Sequence, residues 1–247
     1  MCNRGLIFGC KGEFAVALKV LSLVLALAAG PALAQDPAPS PAPPPPRPAA
    51  SAEQTATASA AADRLIAEGN AGEFFVNTSR DGLIRAKHVP SGMECSFVGN
   101  GRDRITILPQ VSPQIPRGYD VSCNSYHEDL DIDLTLYATR YRPLPSEQQI
   151  VASAAAAIRQ RWPDATPVQG GVPSISAGDK PPPLVAAFNV VVNGRPSVTA
   201  AFVSHRGEWG YKARATGPSE PDMAVTLFGN VMLMGAMFGI DFGSVAD

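Results

Sequence analysis

Charge is scarce in this 247-residue chain. Only 17% of its residues are Asp, Glu, Lys or Arg, the formal net charge is −2, and no basic block occurs along it. That leaves no electrostatic footprint for nucleic acid or an anionic membrane surface. Aromatic residues are few, at 7%, and there are 3 histidines and 4 cysteines. Also missing are the local patterns of nucleophilic or nucleotide chemistry: there is no G-x-S-x-G elbow, no S-x-x-K pair and no phosphate-cradling glycine loop. What is present is a chain 45% hydrophobic, with 24 prolines unevenly spread, eight of them from Pro37 to Pro48. These proportions exclude a collagen-like, coiled-coil or wholly disordered protein and a polytopic membrane protein. They leave enough chain for one domain with its own core.

Residues 1–34 read as an export signal. Arg4, Lys11 and Lys19 outweigh Glu13, the apolar run Val20 to Ala29 follows, and Gly30-Pro31 breaks it. Ala32-Leu33-Ala34 then offers small residues for cleavage between Ala34 and Gln35. The run is too short to span a bilayer comfortably. No cysteine stands at the cleavage point and no arginine pair precedes it, so the expected route is the general secretory one, to the periplasm or the medium. The long lead before the apolar run is explained if translation begins near Val16.

Cys2 and Cys10 leave with this segment, so Cys95 and Cys123 are expected to form one disulfide in an oxidising compartment. Met93, Cys95 and Phe97 share one side of a short strand, and Tyr119, Val121 and Cys123 share one side of another. Both thiols therefore point to an apolar face. Such a bond stabilises by roughly 3–4 kcal/mol in the chain-entropy account.

Residues 35–50 form a Pro-rich disordered linker. Residues 51–72 form an Ala-rich helix or frayed segment, with Ser51 and Gln54 placed as a capping box and only Leu65 and Ile66 to dock one turn. A single α+β domain is expected over 73–247. Short strand-like runs come first: Phe74–Thr78, Gly82–His88, Met93–Val98, Arg104–Leu108, Tyr119–Tyr126 and Asp131–Tyr141. The last alternates best, with Leu130, Ile132, Leu134, Leu136 and Ala138 against Asp131, Asp133, Thr135, Tyr137 and Thr139. Ser146 to Trp162 shows helical spacing, and Pro163 stops it. A Pro- and Gly-rich loop from 163 to 183 follows, read as a surface excursion.

Three strands then form a meander: Leu184–Val192, apolar on both faces and so read as central, Ser197–His205, and Glu208–Ala215, with a hairpin turn at Asn193-Gly194. The run Met223 to Ile240 is apolar, yet no Lys or Arg follows it. That contradicts the positive-inside tendency, so it is expected as a buried helix and not a transmembrane segment. The fold class is α+β: an antiparallel sheet of about 6–9 strands, covered by an internal helix (146–162) and a C-terminal helix (about 221–240). In element order the domain resembles the PsbP/Mog1-like domains, which implies helices covering an antiparallel sheet and transfers no functional residue. The exported signal with a Pro/Ala leader is also similar to uncharacterised exported proteins of Gram-negative bacteria.

The residues that carry chemistry elsewhere do not converge here. His88, His127 and His205 are far apart, and His127-Glu128 fails the H-E-x-x-H pattern because Asp131 stands at its fifth position. Glu128, Asp129, Asp131 and Asp133 are the densest acidic group. A calcium loop starting at Asp129 would have Leu134 and Arg140 where Gly and Glu are needed, so these acids read as a solvated strand face paired with Arg140 or Arg142. Met234 and Met237 share a helix face that Met232 does not, which suits core filling better than copper(I). Ser174 and Ser176 are ordinary loop serines. Ser204 and His205 face opposite sides of a strand. The turn from His88 to Met93 is punctuated by Pro90 and Gly92.

No catalytic, cofactor-binding or metal-binding residue is assigned and no cofactor is expected. The expected role is a non-catalytic one, binding an unidentified protein or cell-envelope component, with no nucleic acid as partner. The alternatives are a small-molecule or lipid carrier, with its pocket under the final helix, and a hydrolase or metal-dependent enzyme.

Overall fold

The computed structural model describes residues 49–109, 115–173, 175–176, 179–221 and 223–239. The export signal, its cleavage point at Ala34–Gln35 and nearly all of the linker lie outside the described residues.

Helix α1 (Ala52–Glu68) opens on a reciprocal capping box: Ser51 accepts from the Gln54 amide, and the Gln54 side chain accepts from the Ser51 amide. Ala58, Ala62, Leu65 and Ile66 are all buried, so the helix docks along several turns where one was expected. Its alanines are contact surface as much as helix formers, because a methyl face lets the helix lie close to its neighbours.

A first antiparallel sheet holds β1 (Phe75–Asn77), β2 (Ile84–His88) and β3 (Glu94–Phe97). The larger sheet holds β4 (Arg104–Ile107), β5 (Asp120–His127), β6 (Ile132–Arg140), β7 (Thr166–Pro167), β8 (Leu184–Val192), β9 (Arg195–Arg206) and β10 (Trp209–Pro218). Their spatial order is β4-β5-β6-β10-β9-β8-β7, with every neighbour antiparallel. Helix α2 (Glu147–Arg161) lies between β6 and β7, and α3 (Ala224–Phe238) closes the described chain.

The α+β class and both covering helices agree with the sequence reading. The split into two sheets does not follow from it. The Gly99–Gly101 turn reads as a simple connection, yet β3 and β4 do not pair, and β1–β3 stack against the larger sheet instead. The Cys95–Cys123 disulfide joins β3 to β5 across that stack, with Cα atoms 6.3 Å apart. Strand β8, read as central, has only the two-residue β7 beyond it, and its Asn189 and Val191 are exposed. Its apolar residues are divided between two cores, Phe188 and Val190 under α2 and Ala187 in the main core, and say nothing of its distance from the edge.

The core sits on one face of the larger sheet. Leu134, Leu136 and Ala138 of β6, Ala200 and Phe202 of β9, and Tyr211, Ala213 and Ala215 of β10 point to it, under β1–β3 and α3. Gly229 lets α3 lie flat: a Cβ there would meet Phe202 Cε2 at 2.7 Å. On the opposite face α2 lies mainly on β8 and β9, through Ile158 against Phe188, Val190 and Ala201, and its Ile150 reaches Gly210 at the start of β10. On that side α2 leaves β5, β6 and the rest of β10 largely uncovered.

Candidate functional site

The uncovered strands build a cleft from their outward positions. Alternation puts Asn124 and Tyr126 of β5, Asp133, Thr135 and Tyr137 of β6, and Lys212, Arg214 and Thr216 of β10 on the helix α2 side. Register aligns them: Asn124 is opposite Thr135, Thr135 is opposite Arg214, and Thr216 lies between Asp133 and Thr199. One wall is the end of α2, where Trp162 leaves the helix in an extended conformation (φ −129°, ψ 90°). Another is the β8–β9 turn, where Asn193 and Gly194 take the positive φ values (51° and 78°) that a tight hairpin needs. The enclosed volume is about 720 Å³.

Four arginines and three carboxylates line the cleft, and their pairing is incomplete. Arg102 pairs with Asp133 and lies 3.7 Å over the Tyr126 ring. Arg195 pairs with Asp131 at 2.8 Å, and Asp131 also accepts from the Tyr126 hydroxyl at 2.7 Å. These two partners hold the Asp131 carboxyl below the usual carboxylate range, the Tyr126 bond contributing most. Asp133 of β6 and Asp131 just before it therefore pair with Arg102 and Arg195, and not with Arg140 or Arg142. Arg140 sits at the far end of the strand, opposite Trp209, and pairs with Glu208.

Arg161 and Arg214 have no hydrogen-bond or ion-pair partner among the described residues. Their guanidinium carbons lie 4.6 Å and 5.8 Å from the centre of the same ring, Trp162. Burial lowers the Arg214 pKa, and the like charge of Arg161 adds to that effect. Farther along the same face and outside this cleft, burial also lowers the Lys212 pKa, with Arg214 adding to it, and Lys212 Nζ lies 4.1 Å from the centre of the Tyr137 ring. The cleft thus offers hydrogen-bond donors, aromatic surface and uncompensated positive charge.

The residues singled out in the sequence lie elsewhere, apart from Asp131 and Asp133. His88 has no exposed surface. Its Nε2 is 2.9 Å from the Gly118 carbonyl oxygen, which can only accept, so Nε2 carries the proton. Nδ1 is then the acceptor for the Ser91 hydroxyl at 2.8 Å. Rings of Phe75 and Trp209 flank it, at 5.0 Å and 5.5 Å. Burial pushes its pKa down to about 4, and the Gly118 bond offsets only part of that shift. This serine–histidine pair is buried, and its bonds hold the turn from His88 to Met93. The Ser91 carbonyl receives Tyr211 Oη and an Arg206 nitrogen, each at 2.6 Å, and Arg206 also donates to the Met237 carbonyl at the end of α3.

His127 packs its ring edgewise on Phe228 at 4.5 Å, and burial lowers its pKa. The His205 amide donates to Glu147 at 2.8 Å. Among the described residues no three His, Cys, Asp or Glu side chains come together as a metal site. Met234 and Met237 are core residues, and Met232 packs against that core. Ser176 stays in the loop after β7, whereas Ser174 lies outside the described residues. That loop is more than an excursion, since Val168 and Val172 pack on the main core. None of the described helices is long and apolar enough to cross a membrane.

No family model matches the chain, and no curated protein matches it. Among solved structures it is similar to LpqN, described as involved in cell envelope biogenesis of Mycobacterium tuberculosis. The identity is 12% and the TM-score 0.30, over 56% of this chain and 85% of that one. At that level of similarity no function passes from one chain to the other.

Proposed function

We propose that the chain is an exported, non-catalytic binding domain that takes its ligand in the cleft on β5, β6 and β10. The observation that carries this reading is the cleft itself: about 720 Å³ of concave surface lined by Asn, Thr, Arg and aromatic side chains. Such lining fixes the orientation of a small ligand by hydrogen bonds. Folding does not require it, because the alternating positions on the other face already supply the core. Export is supported by the leader sequence and by a disulfide that suits an oxidising compartment. A role as an accessory of the cell envelope follows from that location. A carrier with its pocket under α3 has less support. The cavity there is about 170 Å³, at the helix N-terminus, and Gly229 closes the contact beyond it.

The test is a titration of the ¹⁵N-labelled protein, purified after export, with a panel of neutral and charged monosaccharides, amino acids and nucleotides. Ligands are expected to move the amide signals of Asn124, Thr135, Ser197 and Thr216. Perturbations confined to α3 or to the β1–β3 sheet would overturn the assignment of the cleft.

A further inference from the structure

We infer that Arg161 and Arg214, set over Trp162, form a seat for one carboxylate or phosphate group of a small ligand. This rests on the cleft being the binding site, and names the chemistry it selects.

The argument begins with how arginines behave on protein surfaces. An exposed guanidinium needs no partner, because water solvates it. A half-buried one has lost part of that solvation and is normally compensated by a carboxylate or by carbonyl oxygens. Arg214 is half-buried in the sheet, has no such partner among the described residues, and stands beside a second arginine instead. Acids are close at hand, since Asp133 lies on the neighbouring strand β6 and Asp131 just before it. Each is already engaged, by Arg195 and Arg102. The cleft has therefore paired two of its four arginines internally and left the half-buried Arg214 open, with the exposed, water-solvated Arg161 near the same indole.

Both arginines line the same cleft and Arg214 feels the charge of Arg161; a guanidinium can donate two parallel hydrogen bonds to an oxyanion, and an anion between the two would also remove their mutual repulsion. Thr135, directly across from Arg214, adds a hydroxyl. The remaining lining limits what can follow that anionic group. Asp131, Asp133 and Glu220 lie along the same cleft and disfavour a second negative charge. The ligand class is consequently a molecule of roughly saccharide size with a single acidic group and a neutral, hydrogen-bonding remainder, such as a sugar acid or a sugar phosphate. A polyanion does not fit this pattern.

The chain has only two tryptophans, Trp162 and Trp209, and Trp209 is buried among His88 and Tyr119. Their indole ¹⁵N–¹H signals give a reporter and an internal reference in one spectrum. The exported protein is titrated at constant ionic strength with D-glucuronate, glucose 6-phosphate, inorganic phosphate and neutral glucose. The expected result is a saturable shift of the Trp162 signal with at least one anionic sugar, at least tenfold weaker binding of glucose, and no shift at Trp209. Arg161→Ala and Arg214→Ala should each weaken the anionic sugar at least tenfold. Arg117→Ala, which removes a surface pair with Glu73, should leave it unchanged. A carboxylate-only or phosphate-only response supports the seat and identifies its group. Glucose binding as tightly as glucuronate overturns the anion seat and leaves the cleft standing. The seat also falls, with the cleft intact, if the anions leave Trp162 still while neutral compounds move Asn124 and Thr135. Silence of every cleft signal toward every probe overturns both.

Discussion

The two faces of the large sheet are made of the same strands and obey opposite rules. On the covered face, Leu136, Phe202 and Tyr211 are at most 2% exposed, and a disulfide and a buried histidine lock the layer above. On the uncovered face the same strands present Thr135, Asn124 and Arg214, which touch solvent and leave hydrogen-bonding capacity unused. Residues on the first face are explained by the stability they provide. Those on the second lie outside the main core, and the proposed ligand accounts for their chemistry.

That contrast can be broken from either side. On the covered face, Phe202→Ala should remove about 4 kcal/mol, since it empties a fully buried site beneath α3, and a denaturant titration reads it directly. A loss below about 1 kcal/mol would mean that α3 is not packed closely on the sheet. Replacing both Cys95 and Cys123 by alanine should cost about 3–4 kcal/mol through the denatured state, measured by thermal melts with and without reductant.

His88 gives the covered face a pH dependence. Its folded pKa of about 4 lies below the ordinary 6.5, so the unfolded chain binds the extra proton between those values. Stability is complete above pH 6.5 and falls as the pH drops toward 4. The loss from pH 7 to pH 5 is about 2 kcal/mol from this residue, and burial of His127 adds a loss of the same sign. The pH dependence of the unfolding midpoint, compared with that of His88→Gln, isolates the share of His88.

The smallest stability effects belong to the open face. Asn124→Ala and Arg214→Ala should change unfolding free energy by about 0.5 kcal/mol or less while abolishing ligand-induced shifts in the cleft. If they destabilise as much as a core substitution, the distinction between the faces fails.

The sequence carried one of these faces well and the other poorly. Strands β5, β6, β8, β9 and β10 are legible from alternation and hairpin turns, and α2 from Ser146 and its 3.6-residue spacing, because local rules decide them. The disulfide is legible because both cysteines fall in phase with apolar neighbours. The division into two sheets is not, since strand order is a long-range property that no local pattern records.

The cleft was half visible. Alternation places Asp133 and Thr135 on an outward face, but it cannot show that Arg102 and Arg195 would pair with Asp133 and Asp131 in place of Arg140. Nor can it bring Arg161 and Arg214, from α2 and β10, to one indole. Trp162 itself reads as the last residue of an apolar helical stripe, and only the extended C-cap turns it into a wall of the cleft.

Arg206 has a mechanical consequence. One side chain grips carbonyls at positions 91 and 237, so the first sheet and the last helix are riveted through a third strand. Pulling α3 away would leave one guanidinium nitrogen of Arg206 without its carbonyl, and loosening the turn at Ser91 would free the other, so either change releases the side chain that holds the second contact. The two ends of the domain should therefore open together, and amide exchange near Met93 and near Met237 should report one shared event.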